Sequence, residues 1–472
     1  MPKDVPISLA GLLGPGGPVL CEALRAAGEF LHGHSTEKLL GRVGQTITEI
    51  PEAEHLDKRF IQASFRVGPQ DPSQDMLTGR GMFYLTEARK LVLDCTSGHY
   101  QVPWGYQHPE LTAAVTGAMD SGVVWDNHSN IPGNTIKMLA RRLLEAANGA
   151  ASETWENCGS ADVLDTVLLG ICTGSVAASS ALKIALRHHE AVRPGRPPVF
   201  VVIAGNYHGT DLLAQRLRGM WQDYFRNVEV MEIEPNDADS LRSAFDACRG
   251  RVAAFLAEPV LMNREAIVLE TAFLRDARAL CDRDDACLVL DEIQTGFWYP
   301  EVFLFRQCGI VPDMLIVGKG MTAGFHPLSA LLYKRKYDRL AQYDAISTNG
   351  NAPLAAVAGL ACLAMIQRDQ QRIGEIGQYY FRRLMELPLA FPEQVVDVRG
   401  RGLMAGLKFP NVEKAVAFYN RCQERGLWVR AHTYHEGHST ILTKLALLAD
   451  KLVVDYIVDR FWEILEELRE SK

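Results

Sequence analysis

Two short apolar runs, each followed by one polar residue, constrain the fold of this chain most. Residues 287–290 (CLVL) and 314–317 (MLIV) are rich in leucine and β-branched residues, and turn-forming residues bound them. Such runs are typical of buried strands in a parallel sheet. Asp291 follows the first run directly, and Lys319 lies two residues beyond the second. Because ligands bind outside the carboxyl ends of parallel strands, we expect both side chains to face one bound molecule.

A carboxylate and an amine at such a crevice suit pyridoxal phosphate. The amine of Lys319 would form a Schiff base with the aldehyde of the cofactor, and Asp291 would keep the pyridine nitrogen protonated. Gly318 and Gly320 would let the backbone approach the cofactor. Taken singly, an exposed lysine and a helix-capping aspartate are simpler explanations. The pair, together with the motifs below, favours the cofactor site.

The two segments resemble a known family. DEIQTG at 291–296 and IVGKG at 316–320 resemble the class III aminotransferases of fold type I, which include ornithine, acetylornithine and 4-aminobutyrate aminotransferases. The resemblance extends from about Gly81 to Phe461. It implies an α/β fold, with a mostly parallel, doubly wound sheet in a large domain and a smaller α+β domain. The alternation of helix and strand signals from about 160 to 331 independently predicts a doubly wound sheet.

The resemblance also implies a division of the chain. We expect an N-terminal extension at 1–75, the first part of the small domain at 76–125, the large cofactor-binding domain at 126–345, and the rest of the small domain at 346–472. The extension includes a helical signal between Glu22 and Leu40 and a loop at Gly68–Asp75. From Gly79 onward, alternating residues predict a small antiparallel sheet. In relatives this segment lines the substrate side, so Tyr100, Trp104 and Tyr106 are candidate pocket walls.

Matching motifs give roles to further residues. A Gly-Ser turn opening a helix presents free N–H groups to a phosphate. The resemblance places the cofactor phosphate at Gly174, Ser175 and the N–H of Val176. It makes Tyr207 the aromatic residue that stacks on the ring, His208 a supporting residue and Glu258 a carboxylate near the edge of the cofactor. It also places Ile293 on the other ring face, Gln294 at the phenolic oxygen, and Thr348 at the phosphate in the neighbouring subunit of a homodimer.

The sequence departs from the family pattern at several of these motifs. Val176 replaces a usual glutamate, residues 297–300 (FWYP) replace G-F-G-R, and Asn351 and Ala352 replace a glycine and an asparagine. Many glutamate-using relatives have an arginine late in the chain that grips the α-carboxylate, and a glutamate that neutralises it. These positions fall near Leu442 and at Asn263. Lys444, Arg430 and Arg264 are alternative carboxylate ligands, although each is more simply a surface charge.

Composition excludes several other classes of function. The net charge of −8 is spread without a basic block, which argues against nucleic acid or an anionic membrane surface as a partner. Ten cysteines without a CxxC pattern indicate reduced thiols and a cytoplasmic location. No signal peptide or membrane-spanning run is recognisable. His432, His435 and His438 lie in a glycine-containing loop without adjacent carboxylates or thiolates, so we expect no metal.

The sequence therefore predicts a pyridoxal-phosphate-dependent aminotransferase that acts on an amino acid or related amine. Two alternatives remain open. One is a racemase, an epimerase or a carbon–carbon bond-forming enzyme on the same scaffold, because fold and cofactor do not decide the fate of the carbanion. The other is a protein that binds the cofactor without turnover.

Overall fold

The computed structural model describes residues 8–56, 58–62, 72–128, 130–155, 162–345, 347–433 and 435–470. Residues 68–71 of the predicted loop Gly68–Asp75 lie outside these ranges, and Pro72–Gln74 form one 3₁₀ turn. The strands, in chain order, are β1 (Met76–Arg80), β2 (Phe83–Thr86), β3 (Leu91–Asp94), β4 (Thr166–Ile171), β5 (Val199–Ile203), β6 (Glu229–Ile233), β7 (Val252–Ala257), β8 (Val260–Leu261), β9 (Ile267–Val268), β10 (Cys287–Asp291), β11 (Met314–Val317), β12 (Ser329–Tyr333), β13 (Asp397–Arg401), β14 (Met404–Lys408), β15 (Leu427–Trp428), β16 (Arg430–His432) and β17 (Thr440–Lys444).

Helices separate most of these strands. They are α1 (Leu9–Leu12), α2 (Gly17–Gly33), α3 (Thr36–Leu40), α4 (Ser97–Tyr100), α5 (Pro109–Asp120), α6 (Asn134–Asn148), α7 (Ser152–Trp155), α8 (Gly174–Val192), α9 (Leu212–Arg216), α10 (Ala238–Ala247), α11 (Thr271–Asp284), α12 (Pro353–Arg368), α13 (Gln370–Ala390), α14 (Val412–Glu424) and α15 (Lys451–Glu470). None of the described helices is long and apolar enough to cross a membrane.

A seven-stranded sheet forms the centre of the molecule, in the order β4-β12-β11-β10-β7-β5-β6. All of its strands are parallel except β12, which runs antiparallel to both neighbours. The central strands β7, β10 and β11 are buried along their whole length, because helices cover both faces of the sheet. The predicted strands at 287–290 and 314–317 are thus confirmed, and so is the mostly parallel sheet.

Two four-stranded sheets lie outside the central sheet. β1, β2 and β3 form the predicted antiparallel meander, to which β15 adds a parallel strand. β13, β14, β17 and β16 form the other sheet. Only Val429 separates β15 in one sheet from β16 in the other. The chain near Arg430 therefore joins the N-terminal strands to the C-terminal sheet.

Candidate active site

Asp291 and Lys319 lie side by side at one edge of the central sheet. Asp291 is the last residue of β10 and is paired with Ile316 of the parallel neighbour β11. Lys319 follows β11 after Gly318, with a φ of 35° that turns the chain sharply at the strand end. Both side chains therefore reach the crevice outside the carboxyl ends of the strands, where open α/β sheets bind ligands.

Asp291 is buried and held by two donors. One carboxylate oxygen, Oδ2, pairs with Nδ1 of His208 at 2.8 Å, and Oδ1 accepts the N–H of Ile293 at 3.0 Å. Burial works against a charge on His208, but its hydrogen bond to Asp291 and the negative charge there outweigh burial, so the pKa of His208 is raised. Each carboxylate oxygen has a second lone pair, so Asp291 can still accept a proton-bearing ring nitrogen.

Glu258 and Gln294 form a second buried polar pair. Glu258 accepts the N–H of Tyr207 at 2.8 Å and the side-chain amide of Gln294 at 3.2 Å. Burial is the main cause that raises the pKa of Glu258 to about 7. The amide of Gln294 carries a second N–H, which leaves it one donor for a phenolic oxygen.

Lys319 faces aromatic and cationic neighbours. Its Nζ lies 5.7 Å from the centre of the Tyr100 ring, and the Nζ of Lys444 lies 5.2 Å from the same centre. Burial is the largest cause that lowers the pKa of Lys319 to about 8; the negative charges of Glu258 and Asp291 oppose this, and the positive charge of Arg430 adds to it. A lysine with such a pKa is partly neutral near physiological pH and can act as a nucleophile.

The start of α8 forms an anion cradle. The N–H of Val176 donates to the carbonyl of Thr173 at 3.0 Å, so the phosphate role predicted for Val176 is weaker than the roles of Gly174 and Ser175. Within the described part of the chain, no acceptor is recorded for the N–H groups of Gly174 and Ser175. A Cβ on Gly174 would lie 2.5 Å from Cδ1 of Ile293, so a larger residue there would displace the Ile293 side chain.

These groups surround a cavity of about 540 Å³. Tyr207 and Ile293 both line it, as expected for residues that cover the two faces of a ring, and so do Gly174, Ser175 and Lys319. Thr348 is exposed and does not line it. The donor set fits pyridoxal phosphate, since an amine and a helix start line this cavity and a buried carboxylate lies behind His208 in its wall.

Comparisons with known proteins agree with this geometry. The family model of the aminotransferase class-III proteins matches residues 70–465. The chain belongs to this family. Acetylornithine aminotransferase of Agrobacterium fabrum is 30% identical over 351 residues, which cover 70% of this chain and 79% of the relative. Ornithine aminotransferase of Bacillus subtilis is 27% identical over 385 residues, covering 79% and 88%.

Solved structures show the same fold. The ornithine aminotransferase of Toxoplasma gondii superimposes with a TM-score of 0.74 at 20% identity, covering 88% of this chain and 94% of that structure. An aminotransferase of Bacillus anthracis gives a TM-score of 0.74 at 20% identity, covering 92% and 98%. The chain is thus a class-III enzyme with the fold type I architecture. Enzymes of this class use pyridoxal phosphate, and transamination is favoured over the racemase or carbon–carbon bond-forming alternative.

Several departures from the class-III pattern have structural consequences. Trp298, in the segment that replaces G-F-G-R, donates to the carbonyl of Leu445 at 3.1 Å, and its ring lies 3.3 Å from the Nζ of Lys444. Leu442 is a fully buried core residue of β17, whereas Asn263 lines a cavity beside Lys319. The segment 297–300 therefore helps to dock the C-terminal sheet beneath the active site.

Sequence reasoning missed or misjudged several residues here. Lys444 is fully buried, so the surface-charge interpretation was wrong for it. His99 and Arg218 line the cavity next to Lys319, and no motif marked either of them. Of the three candidate wall aromatics, only Tyr100 faces Lys319; Tyr106 instead donates to Asp94 at 2.7 Å.

The three histidines of the loop pack against one another. The Nδ1 atoms of His432 and His438 are 3.0 Å apart, and the ring of His435 packs against both. Among the residues that the structure describes, no group of three histidine, cysteine, aspartate or glutamate side chains is arranged to hold a metal ion.

Proposed function

We propose that this enzyme transfers the amino group of an amino acid or related amine to an oxo acid, with pyridoxal phosphate attached to Lys319. The observation that carries the proposal is that Lys319 and Asp291 lie at adjacent strand ends, beside a cavity that Lys319 and His208, the partner of Asp291, both line. When bound, pyridoxal phosphate supplies an aldehyde that captures the amine and a ring that draws electrons from the carbon bearing it.

Each site residue has a defined task in this proposal. Asp291, oriented by His208, holds the proton on the pyridine nitrogen. Gly174 and Ser175 bind the phosphate at the start of α8, with a supporting contact from Val176, while Tyr207 and Ile293 confine the ring between them. Tyr207 is held in place by Glu258, to which its N–H donates. Gln294 donates to the phenolic oxygen.

Lys319 also moves the proton. With the cofactor and a substrate bound, the amine of Lys319 would lie beside the reacting carbon and would carry a proton from one carbon to the other, as base and then acid. A pKa of about 8 suits both roles, because neither protonation state is strongly disfavoured near neutral pH. The burial of Asp291 and Glu258 keeps bulk water away from this transfer.

A half-reaction tests the proposal. The cofactor-loaded protein is mixed with single amino donors in the absence of an acceptor, and the yellow absorbance and the oxo product are followed together. Transamination bleaches the yellow colour and releases one oxo product per site, and an added oxo acid restores the colour. A change in optical rotation without bleaching would instead assign racemisation, and no change with any amine would leave only cofactor binding.

We also propose that the enzyme is a homodimer in which Thr348 reaches the phosphate site of the neighbouring subunit. Thr348 is exposed and precedes Asn351 by three residues. Asn127 and His128 bond to Asn351, and Asn130 bonds to Tyr343, so two segments form one surface. The exposed apolar residues of this surface are Val124, Trp125, Ile131 and Tyr343. Apolar side chains gathered in this way are typical of subunit interfaces.

Two further proposals concern organisation and location. The division at 75, 125 and 345 is supported by β15, which joins the N-terminal strands to the C-terminal part of the chain. A cytoplasmic location is supported by the nine described cysteines, all of which are free thiols.

A further inference from the structure

We infer that Arg430 binds the carboxylate of the substrate, so that this enzyme selects amines that carry a carboxylate group. The inference rests on the proposed function. Arg430 begins β16 and lines a cavity of about 330 Å³ that is continuous with the cofactor site through His99, Tyr207, Gln294 and Lys319, which line both.

The charged side chains that line this cavity are mainly cationic. Arg430, Arg218 and Lys319 contribute positive charges, and Glu232 is the one acidic side chain among the described residues that line it. Asn263 lies on the same wall, where many glutamate-using relatives have a glutamate. An amide there brings no negative charge to compete for a guanidinium. The cavity therefore attracts an anionic group close to the reacting amine.

The other cations are less suited to this role. Arg264 is engaged by the carbonyl of Ala204 at 2.6 Å and by Glu234. Lys444 is fully buried under Trp298 and donates to the backbone carbonyl of Gln294. Arg218 lies over the ring of Tyr207, with 5.1 Å between its Cζ and the ring centre, and not over the Tyr100 ring that Lys319 faces.

Arg430 shares a surface with the catalytic lysine. Its Cζ lies 5.7 Å from the centre of the Tyr100 ring, the same distance as the Nζ of Lys319. The guanidinium and the reacting amine thus cannot be further apart than the sum of these two distances. Both groups also line the same cavity, so an amino acid whose amine meets Lys319 there has Arg430 as a cation for its carboxylate.

His99 positions Arg430. The Nη1 of Arg430 is 2.7 Å from the Nε2 of His99, and because a guanidinium can only donate, Nε2 must accept. Desolvation, followed by the charges of Arg430, Lys319 and Lys444, lowers the pKa of His99 to about 4, so the ring is neutral at physiological pH. The guanidinium has five donors in a fork geometry that matches a carboxylate.

Matched substrates test the inference. L-Ornithine differs from 1,4-diaminobutane, and 4-aminobutyrate from propylamine, only by the carboxylate. For each pair that the wild type converts, we expect Arg430→Gln to raise KM for the substrate with the carboxylate about tenfold or more. The KM for the substrate without the carboxylate should stay within about twofold of the wild-type value. Arg430→Lys should fall between, because it keeps the charge and loses the fork. Arg421→Gln, which removes an exposed guanidinium paired with Glu424 on α14, is the matched control. An equal change for both members of a pair, or no change for either, would overturn the inference.

A binding measurement separates this inference from the proposed function. Glutarate carries carboxylates but no amine, so calorimetry with cofactor-loaded protein reports on the carboxylate subsite without turnover. The expected result is binding to the wild type and to Arg421→Gln, with Kd raised about tenfold in Arg430→Gln. Equal affinity of glutarate for Arg430→Gln and the wild type overturns the inference even if transamination is observed. Failure of every amine in the half-reaction, with glutarate binding dependent on Arg430, overturns the proposed function alone.

Discussion

At the scale of single residues, the active site contains two lysines that face the same Tyr100 ring but differ in their surroundings. Lys319 has the carboxylates of Glu258 and Asp291 nearby, which partly offset its burial. Lys444 has no acidic partner among the contacts described and is fully buried, so burial and the charge of Lys319 lower its pKa well below the usual value. Lys319 is therefore suited to act as a nucleophile and a base, whereas the burial of Lys444 mainly lowers the stability of the folded protein.

The lowered pKa of Lys319 predicts its reactivity in the cofactor-free protein. Below about pH 8 its amine is mainly protonated and unreactive, and above that pH it is mainly neutral. Competitive labelling with acetic anhydride should therefore give a rate for the peptide containing Lys319 that rises to about pH 9 and then levels off. The exposed Lys38 serves as the internal standard. A rate still rising steeply at pH 10 would show an ordinary lysine and contradict the assignment.

The burial of Lys444 predicts an effect on stability. The pKa of Lys444 is lower in the folded protein than its unfolded value of about 10.4. Between these two pKa values the unfolded chain binds more protons than the folded protein. The free energy of unfolding of the wild type therefore rises with pH over that range. Lys444→Met should raise the midpoint of thermal unfolding by a few degrees at pH 7, and the gain should shrink toward about pH 10. Lys334→Met is the control: it removes a buried lysine paired with Asp313 at 3.1 Å and should lower the midpoint. A loss of stability in Lys444→Met at every pH would contradict this account.

At the scale of elements, the site depends on how α8 and the loop after β5 fit together. Ser175, near the start of α8, accepts the N–H of Thr210 at 3.0 Å. Gly209 has a φ of +118°, and a Cβ there would lie 2.4 Å from Oγ of Ser175. The loop can approach the helix start this closely only with glycine at 209.

A methyl group at Gly209 should therefore displace Ser175 and weaken phosphate binding. We expect Gly209→Ala to raise the Kd of pyridoxal phosphate about tenfold in a fluorescence titration of the cofactor-free protein, with the fold retained. Gly28→Ala is the matched control, because a Cβ at that position in α2 meets no atom within 4 Å. An unchanged Kd for Gly209→Ala would show that the helix start does not bind the phosphate.

The sequence predicted elements better than it predicted neighbours across elements. The strands around Asp291 and Lys319 and the helix after Gly174 are strong local signals, and the structure has them where they were expected. Lys444 and His99 gave no such signal. The burial of Lys444 arises because β17 lies between two other strands and under Trp298, and His99 adopts a left-handed φ of 59° between residues that do the same. Both depend on packing between distant segments, which residue spacing does not encode.

At the scale of the whole molecule, the proposed dimer explains a surface that a monomer would leave apolar. Trp125 is 74% exposed and Tyr343 69% exposed, on the surface that neighbours Thr348. We expect sedimentation to show that the wild type is a dimer and that Trp125→Asp shifts the equilibrium toward monomer. The variant should also bind the cofactor less tightly, because Thr348 would no longer reach the neighbouring site. Trp221→Asp, at an exposed tryptophan on a different segment, is the control. A wild-type monomer with full cofactor affinity would contradict the shared site.

Borohydride reduction shows whether Lys319, opposite Asp291, carries the cofactor. The cofactor-loaded protein is reduced, which fixes the cofactor to the amine that holds it, and is then digested and mapped by mass spectrometry. We expect the label on the peptide containing Lys319, and no label in Lys319→Ala. A label on Lys444, or a coloured protein with no labelled lysine, would rule out Lys319 as the cofactor-bearing residue.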